Sequence, residues 1–390
     1  MTASLHVTVL IDALGWPLAE RFSFMTDALP YRTKLRTVLG YSSGAIPTML
    51  TGKVPADHGH WNLFYYDPAR SPFRWLRPAR MLPPRVLDNR IGRKVIKELG
   101  KRALGLGPLF DCAVSPALLP WFDWVEKKNI YEPGGINGAS SIFDELTAAK
   151  IPYRAYTYHR LTDAAILEQA RRDIAEGAAS YFFLYLSEVD GLLHHHCTDL
   201  GLIAERLAWY DAELRHVLRV ARDRDPDAGM TIFSDHGMAP VRHHHNLAAD
   251  IDVLGLAMPD EYLAIYDSTM ARFWFFSDVA RTRVVERLAS LTCGRTLGRD
   301  EVKDLGIEFA DRRYGDLIFL MHPGWLITSS DFNASWQPAG MHGYHPDDPD
   351  SDAVFLSDRE PSRPLRTIAD AHDCMRAAAG LRGEALEARL

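Results

Sequence analysis

One apolar stretch that ends abruptly in turn-forming residues constrains this chain more than any other. Residues 230–234 read Met-Thr-Ile-Phe-Ser, and Asp235, His236 and Gly237 follow directly. An apolar, β-prone run that stops in this way is typical of a buried strand in an α/β sheet, where chemistry gathers at the carboxyl ends of the strands. A carboxylate beside an imidazole offers oxygen and nitrogen ligands to a metal such as zinc, although an ordinary polar turn explains the same residues.

Length, composition and cysteine usage set the class of protein. The chain has 390 residues, of which 47% are hydrophobic and 24% charged, as in ordinary globular proteins of two or three domains. The formal charge of −7 gives no reason to expect a nucleic-acid polymer as partner. The four cysteines form no C-x-x-C pair, and no apolar run reaches the roughly 20 residues that cross a bilayer. We therefore predict a cytoplasmic protein without a transmembrane segment.

Strand and helix patterns alternate along most of the chain. Apolar runs that end in turn or polar residues predict strands, and apolar stripes at helical spacing predict the helices between them. Alternation of this kind predicts an α/β fold with a mostly parallel central sheet flanked by helices. We assign this catalytic core to residues 1–69, 136–250 and 336–390.

Two segments interrupt the alternation. Residues 70–135 are basic in their first half and rich in apolar and aromatic residues, with a helix predicted near 91–104. We interpret this segment as an insertion or lid. Basic and aromatic residues together favour peripheral contact with a membrane surface or a lipid-linked substrate, but a packed insertion with solvated charges is the more common case. Residues 251–335 show the strands and helix of a small α+β insertion.

Two adjacent serines are candidate nucleophiles. Ser42 and Ser43 precede an apolar segment that closes on Thr51 and Gly52, which is typical of the start of a helix. The N-terminus of a helix favours an anion and therefore the alkoxide form of a hydroxyl group held there. A capping serine explains the same pattern. Because proline suits the first turn of a helix, Pro47 moves the predicted helix start toward itself.

Further carboxylates and imidazoles follow other predicted strands. Asp12 follows the first strand, where it is either a helix cap or a metal ligand. Asp190 and His194 follow the strand at 181–186, and a helical turn would place both on one face. Together with His342 and the Asp-His pair, these side chains would provide mixed ligands for two metal ions. Such cations would offset the cost of burying several carboxylates together.

The order of these motifs resembles that of the alkaline phosphatase superfamily, and in particular its type I phosphodiesterase/nucleotide pyrophosphatase branch. The resemblance covers most of residues 5–68, 137–250 and 335–380. It implies an alkaline phosphatase-like fold and a nucleophile ten residues before the glycine of a Thr-Gly pair, which is Ser42 when counted from Gly52. The branch more often has threonine at this position, and Ser43 remains a competitor.

The resemblance also implies two divalent metal ions and a set of ligands for each. One metal would be held by Asp190, His194 and His342. The other would be held by Asp12, Asp235, His236 and the oxygen of Ser42. We expect zinc from this mixture of oxygen and nitrogen ligands, with manganese or another divalent ion as the alternative.

The residues after the nucleophile segment are candidates for substrate binding. The branch has an asparagine shortly after its His-Gly motif, and Asn62 lies one residue short of that spacing. It would contact a phosphate oxygen. Trp61 and Tyr65 belong to an aromatic group that suits a substrate pocket, although aromatic residues also fill ordinary cores.

The expected function is the hydrolysis of a phosphodiester or phosphoanhydride through a covalent phosphoserine intermediate, with two metal ions assisting. The substrate would be a small-molecule, lipid-linked or glycan-linked phosphate ester. The first alternative is a phosphomonoesterase, or a phosphoryl or phosphoalcohol transferase acting on a glycan or lipid carrier. The second is a binding module that keeps the fold without catalysis, which would be expected to lack a metal ligand.

Overall fold

The computed structural model describes residues 4–81, 88–106, 110, 114–157, 161–331 and 337–381. In chain order, the strands are β1 (His6–Ile11), β2 (Tyr31–Leu35), β3 (Phe64–Tyr66), β4 (Phe122–Trp124), β5 (Tyr153–Tyr156), β6 (Tyr181–Leu186), β7 (Gly229–Phe233), β8 (Ala239–Pro240), β9 (His243–His245), β10 (Tyr262–Tyr266), β11 (Met270–Phe275), β12 (Gly294–Thr296), β13 (Leu317–Met321), β14 (Trp325–Ile327), β15 (Gly340–Met341) and β16 (Ala353–Ser357). The helices are α1 (Trp16–Arg21), α2 (Ser42–Thr51), α3 (Pro55–His58), α4 (Arg90–Arg102), α5 (Ile142–Ala148), α6 (Asp163–Glu176), α7 (Glu188–His196), α8 (Leu200–Arg224), α9 (Leu247–Asp252), α10 (Asp278–Ala289), α11 (Arg299–Asp304) and α12 (Asp370–Ala378).

Six strands form the central sheet in the order β2-β16-β7-β1-β6-β5. The four strands β7, β1, β6 and β5 run parallel to one another. Strand β16 is antiparallel to both of its neighbours, β7 and β2. The mostly parallel sheet flanked by helices confirms the predicted fold class.

The central strands are apolar on both faces because helices cover both faces. All six residues of β1 are buried, and odd and even positions face different layers. Val7, Val9 and Ile11 pack in a cluster with the apolar stripes of α6 and α8. Leu10 packs on the opposite side with residues of α2, α5 and α12. None of the described helices is both long enough and apolar enough to cross a bilayer.

A second sheet forms the part of the chain predicted as a small α+β insertion. Its strands run antiparallel in the order β10-β11-β13-β12. The inner residues of α10, among them Ala280, Val284 and Leu288, pack in a cluster with residues of this sheet. The turn between β10 and β11 contacts Tyr41 and Gly343 through Thr269.

The basic segment packs on this second sheet rather than on the central one. Helix α4 matches the helix predicted near 91–104. Its buried residue Ile96 belongs to a cluster that also contains Leu263 of β10 and Trp274 of β11. Strand β4 of the segment pairs with β3 of the preceding core residues. The exact boundaries of the three-part core and the two insertions remain predictions.

Candidate metal centre

The carboxyl ends of three neighbouring parallel strands create one polar edge of the central sheet. Strands β7, β1 and β6 lie side by side, with Leu10 in register with both Phe233 and Tyr185. Asp12 follows β1, and Asp235 follows β7. Asp190 lies in α7, which begins two residues after β6 ends. The topology therefore places three carboxylates from distant parts of the sequence at one edge.

Asp12, Asp235 and His236 form the inner cluster. All three side chains are buried, and their ligand atoms lie within 4.8 Å of one another. His236 Nε2 is 3.2 Å from Asp235 Oδ2 and 3.6 Å from Asp12 Oδ1. Helix α1 has Gly15 at its N-cap, so Asp12 does not cap that helix and is available to bind a ligand.

Asp190, His194 and His342 form the outer cluster, whose ligand atoms also lie within 4.8 Å of one another. Asp190 and His194 lie one turn apart on α7, with His194 Nε2 3.3 Å from Asp190 Oδ1. His342 Nε2 approaches the same oxygen at 3.7 Å. His194 Nδ1 lies 2.9 Å from the carbonyl oxygen of Gly340, and this contact orients the ring.

The two clusters are continuous through a pair of stacked imidazoles. The rings of His236 and His342 lie 3.8 Å apart with an interplanar angle of 12°. Two neutral imidazoles can stack at this distance, whereas two imidazolium rings would repel each other. The structure thus combines the six predicted ligands into two adjacent groups of three. Whether they bind metal ions remains a prediction.

The buried atoms of both clusters fit a cation. Within the described residues, no hydrogen-bond partner is present for Asp12 Oδ1, Asp235 Oδ2 or Asp190 Oδ1. A buried carboxylate oxygen without a partner is costly, and neighbouring carboxylates raise the cost. A divalent ion in each cluster would satisfy these oxygens and neutralise their charge. The set of three carboxylates and three imidazoles suits zinc or a similar divalent ion.

The pKa values of the side chains at this edge are shifted because several ionisable groups are buried close together. Burial raises the pKa of Asp12 well above its ordinary value, and the charges of Asp235 and Asp190 raise it further. Burial lowers the pKa of His342 well below its ordinary value, and His236 and His194 lower it further. For His194, burial lowers the pKa, but the nearby carboxylate of Asp190 outweighs burial and gives a net increase. The edge disfavours additional negative charge and would favour a bound cation.

Ser42 and Ser43 have different surroundings. Ser42 is the first residue of α2, and its Oγ lies 3.0 Å from His236 Nε2. Ser43 is buried, and its hydroxyl donates to the carbonyl oxygen of Trp61 at 2.8 Å. Only Ser42 therefore contacts a cluster ligand. This geometry favours Ser42 over its neighbour as the nucleophile.

The prediction that the helix starts nearer Pro47 was wrong. Helix α2 begins at Ser42, and Pro47 lies within it. The first turn is already closed before the proline, because Gly44 and Ala45 both donate their N–H groups to the Tyr41 carbonyl. Because Pro47 has no backbone N–H, the helix lacks one hydrogen bond at this position. The first turn forms without that bond.

The three residues predicted to bind substrate differ in accessibility. Trp61 is completely buried, and its indole N–H donates to the Leu39 carbonyl at 2.5 Å. A Cβ atom at Gly44 would lie 3.2 Å from Cδ1 of this ring, so the ring packs against the start of α2, and substrate contact by Trp61 remains a prediction. Asn62 is buried, with its amide nitrogen 3.9 Å from the sulfur of Met270. Tyr65 is half-buried and donates to Asp123 at 3.0 Å, so a substrate role for either residue remains a prediction.

Two glycines allow close approaches that hold the ligand loops. A Cβ atom at Gly237 would lie 2.2 Å from the carbonyl oxygen of Asp350, which the backbone could not accommodate. A Cβ atom at Gly340 would lie 2.7 Å from the carbonyl oxygen of Leu193 on α7. The first glycine lets the loop after His236 pack tightly, and the second brings β15 against the helix that carries His194.

Sequence patterns did not identify a tyrosine that orients the inner cluster. Tyr185, near the end of β6, donates its hydroxyl hydrogen to Asp12 Oδ2. This bond occupies one oxygen of Asp12 and leaves Oδ1 directed toward the cluster. The signal in the sequence is weak, because Tyr185 occupies an ordinary apolar strand position.

Sequence patterns also missed a group of hydrogen bonds among Tyr41, Thr269 and Gly343, which we call the bracket. Thr269 lies in the turn between β10 and β11, and its backbone N–H donates to the Tyr41 hydroxyl at 3.0 Å. Its own hydroxyl contacts Tyr41 Oη and donates to the Gly343 carbonyl, both at 3.0 Å. Because Tyr41 precedes Ser42 and Gly343 follows His342, this bracket joins the nucleophile segment to a ligand loop.

Comparisons with known proteins agree with the predicted fold and family. A family model described as type I phosphodiesterase/nucleotide pyrophosphatase matches residues 41–345. No curated protein matches the chain significantly by sequence.

Solved structures of murine and human ectonucleotide pyrophosphatase/phosphodiesterase 5 are similar to this one, with TM-scores of 0.68 and 0.67. The sequence identities are 14% and 15%, and each alignment covers 97% of this chain and 96% of the other. An inactive variant of the murine protein, solved in complex with AMP, matches with the same coverage, a TM-score of 0.67 and 15% identity. At these identities the structural similarity shows a shared fold.

Proposed function

The chain belongs to the type I phosphodiesterase/nucleotide pyrophosphatase family, and we propose that Ser42 attacks the phosphorus of a phosphodiester or phosphoanhydride. Membership in this family makes the protein a hydrolase. The finer mechanism rests on one observation: three carboxylates, each with a buried oxygen that lacks a hydrogen-bond partner among the described residues, lie in two adjacent clusters, and His236 of the inner cluster contacts the Ser42 hydroxyl. Carboxylates alone would repel an anionic substrate, so this arrangement needs cations before it can bind phosphate.

The six cluster residues would hold two divalent ions, one in the inner cluster and one in the outer. When bound, such ions supply positive charge that lowers the pKa of a hydroxyl group and stabilises the leaving oxygen. We propose zinc, with manganese as the alternative, on the basis of the nitrogen and oxygen ligands.

The residues of the chain have distinct roles in this proposal. Ser42 Oγ gives up its proton and forms a bond to phosphorus as the bond to the leaving oxygen breaks. The leaving oxygen takes up a proton from solvent, which leaves a phosphoserine and a released alcohol or phosphate. The N-terminus of α2 stabilises negative charge on the transferring group through the helix dipole. A water molecule then attacks phosphorus, the Ser42–phosphorus bond breaks, and the serine takes up a proton. Asn62 is the candidate donor to a phosphate oxygen.

The substrate class follows from the family and from one solved relative. The inactive murine relative binds AMP, and we propose nucleotide phosphodiesters and pyrophosphates as the first substrates to test. Lipid-linked and glycan-linked diesters are the second group, because the chain carries a basic insertion that packs on β10 and β11. Analysis of products would separate a hydrolase from a transferase, since a transferase yields an acceptor that carries the transferred group.

The decisive experiment compares bis(p-nitrophenyl) phosphate with p-nitrophenyl phosphate after addition of zinc or manganese. We expect the diester to be preferred and Ser42→Ala to reduce turnover by at least about 1,000-fold while metal content stays near that of the wild type. Ser43→Ala is the matched control, because it removes a neighbouring hydroxyl that binds Trp61 instead. Full activity in Ser42→Ala would refute the assignment, and a preference for the monoester would indicate a phosphomonoesterase.

The cytoplasmic location predicted from cysteine usage is also kept as a proposal. Cys197, Cys293 and Cys374 are free thiols, and Cys112 lies outside the described residues. Fractionation of cells that express the protein from its own gene would test the location, and recovery outside the cytoplasm would refute it.

A further inference from the structure

The basic insertion is electrostatically unlike the rest of the chain. Residues 70–102 contain eleven lysines and arginines and two acidic residues, a net charge of +9 in a chain whose total is −7. The two acidic residues, Asp88 and Glu98, each form an ion pair within the segment. This concentration of positive charge would attract a surface of negative charge.

Helix α4 in this insertion presents aliphatic side chains to solvent among its basic residues. Ile91 is 75% exposed and Val95, one turn later, is 61% exposed. Arg90 and Lys94 lie beside them and are also exposed. The inner residues Ile96 and Gly100 are buried, so the helix packs by one side and leaves the apolar and basic side outward.

A second exposed apolar group lies in the same insertion. Trp75 is 52% exposed and stands between Arg74 and Arg77, both of which are exposed. Its neighbour Leu76 packs in the same buried cluster as Ile96 of α4. Tryptophan beside basic residues is characteristic of side chains that settle at the interface between lipid and water.

We propose that the outer side of α4 is a docking surface for an anionic membrane. An interfacial helix binds a membrane through buried apolar side chains and through attraction of basic residues to anionic headgroups. Both components are present on this one helix of 13 residues, which is about 20 Å long. Binding of a nucleic acid would use the charge but would leave the exposed isoleucine and valine without a role.

The docking surface is connected to the metal clusters through one hairpin. The buried cluster under α4 includes Leu263 and Ile265 of β10 and Trp274 of β11. The turn between these strands carries Thr269, which hydrogen bonds with Tyr41 and Gly343 at the site. A membrane bound to α4 would therefore contact the part of the protein that packs on the β10–β11 hairpin, and Thr269 in the turn of this hairpin bonds to the nucleophile segment.

The test uses the full chain and vesicles, without any substrate. We expect flotation with vesicles of phosphatidylcholine that contain about one third phosphatidylserine, and little binding to phosphatidylcholine alone. Binding should fall at about 1 M salt, where charges more than about 3 Å apart are screened. Because no substrate is present, the result is independent of the proposed hydrolase function.

Two double variants test whether the exposed apolar side chains of α4 enter the membrane. One changes these side chains, and the other changes exposed valines elsewhere. The double variant Ile91→Ser with Val95→Ser should bind anionic vesicles at least about tenfold more weakly. The matched control is Val253→Ser with Val279→Ser, two valines that are 75% and 62% exposed and lie outside the basic insertion, and it should bind as the wild type does. All variants should retain the wild-type circular dichroism spectrum and turnover of a soluble diester.

A third variant tests the role of charge, and its result has a defined meaning. Arg90→Gln with Lys94→Gln should also weaken binding by about tenfold. No binding of the wild type to anionic vesicles would overturn the proposal. If the charge variant fails to bind while the serine variant binds normally, the surface recognises a polyanion such as a nucleic acid, and the proposal is wrong. Equal loss in the control pair would also refute it.

Discussion

The two ends of the central sheet bury polar groups in different ways. At the amino end, His6 is buried at the start of β1, with Nε2 3.1 Å from Thr231 Oγ1 and its ring stacked on Tyr181. At the carboxyl end, Asp12 follows the same strand and meets Asp235 and other charged ligands. A neutral imidazole with a hydrogen-bond partner can be buried by the fold alone, whereas several carboxylates need a cation. The comparison indicates that the functional site lies at the end of the sheet where the fold brings several negatively charged side chains together.

The largest expected effect is at the carboxyl end, in Asp12→Asn. Turnover of a diester should fall by at least about 1,000-fold, because the inner cluster loses one of its two carboxylates and binds a cation less tightly. The metal-free protein should gain about 1–4 kcal/mol in free energy of unfolding, because a buried carboxylate is removed from beside its neighbours. Kinetics, metal analysis and urea denaturation would measure these changes. Unchanged stability of the metal-free variant would contradict the claim that the edge is strained by charge.

A smaller effect is expected from Tyr185→Phe, which removes the donor to Asp12 Oδ2. We expect metal affinity to fall by about 10–100-fold, as for other groups that orient a metal ligand. Tyr181→Phe is the matched control at the opposite end of the same strand, where the hydroxyl contacts Thr8 Oγ1 at 2.8 Å. It should cost about 1 kcal/mol of stability and leave metal affinity unchanged. Equal losses of affinity in both variants would show that the effect comes from packing.

Thr269→Val should affect turnover less than either of these changes. Valine keeps the shape of the side chain and the backbone bond to Tyr41, but it lacks the hydroxyl that contacts Tyr41 and donates to Gly343, so the nucleophile segment should lose part of its alignment. We expect kcat to fall by about tenfold, with metal content unchanged. Thr231→Val, which disrupts the contact with His6 at the amino end, provides the control and should leave kcat unchanged. A wild-type kcat in Thr269→Val would show that the hydrogen bonds of the Thr269 hydroxyl do not align the nucleophile segment.

The smallest effect on activity, and the clearest on stability, concerns His6. Burial and the charge of Arg359 lower its pKa to about 3. Above pH 6.5 the histidine is neutral in both folded and unfolded chains. As pH falls below 6.5, the unfolded chain binds a proton that the folded chain does not, so stability falls by up to about 1.4 kcal/mol per pH unit. Urea denaturation without metal at pH 7 and at pH 5.5 should show a weaker pH dependence for His6→Phe, with normal turnover at pH 7. An identical pH dependence would show that His6 is not buried in neutral form.

Several elements followed directly from local sequence. The apolar run of β7, followed by the turn at Gly237, predicted that a buried strand ends there. The spacing of Asp190 and His194 predicted that both lie on one helical face, and α7 places them one turn apart. Ser141 caps α5 in a capping box that Asp144 completes, which is another feature of neighbouring residues. These features depend on interactions within a few residues, so local patterns suffice to predict them.

The sequence by itself determined the α/β fold class and which six side chains stand at strand ends or ligand loops, because periodicity and turn chemistry are local. The tertiary structure alone decided that Ser43 bonds to Trp61, that Trp61 is buried, and that Thr269 reaches the nucleophile segment. The contacts of Tyr185 with Asp12 and of Thr269 with Tyr41 span 173 and 228 positions in the chain. Such contacts arise from the order of strands in the sheet and the packing of an insertion against it, neither of which is encoded in a short window of residues.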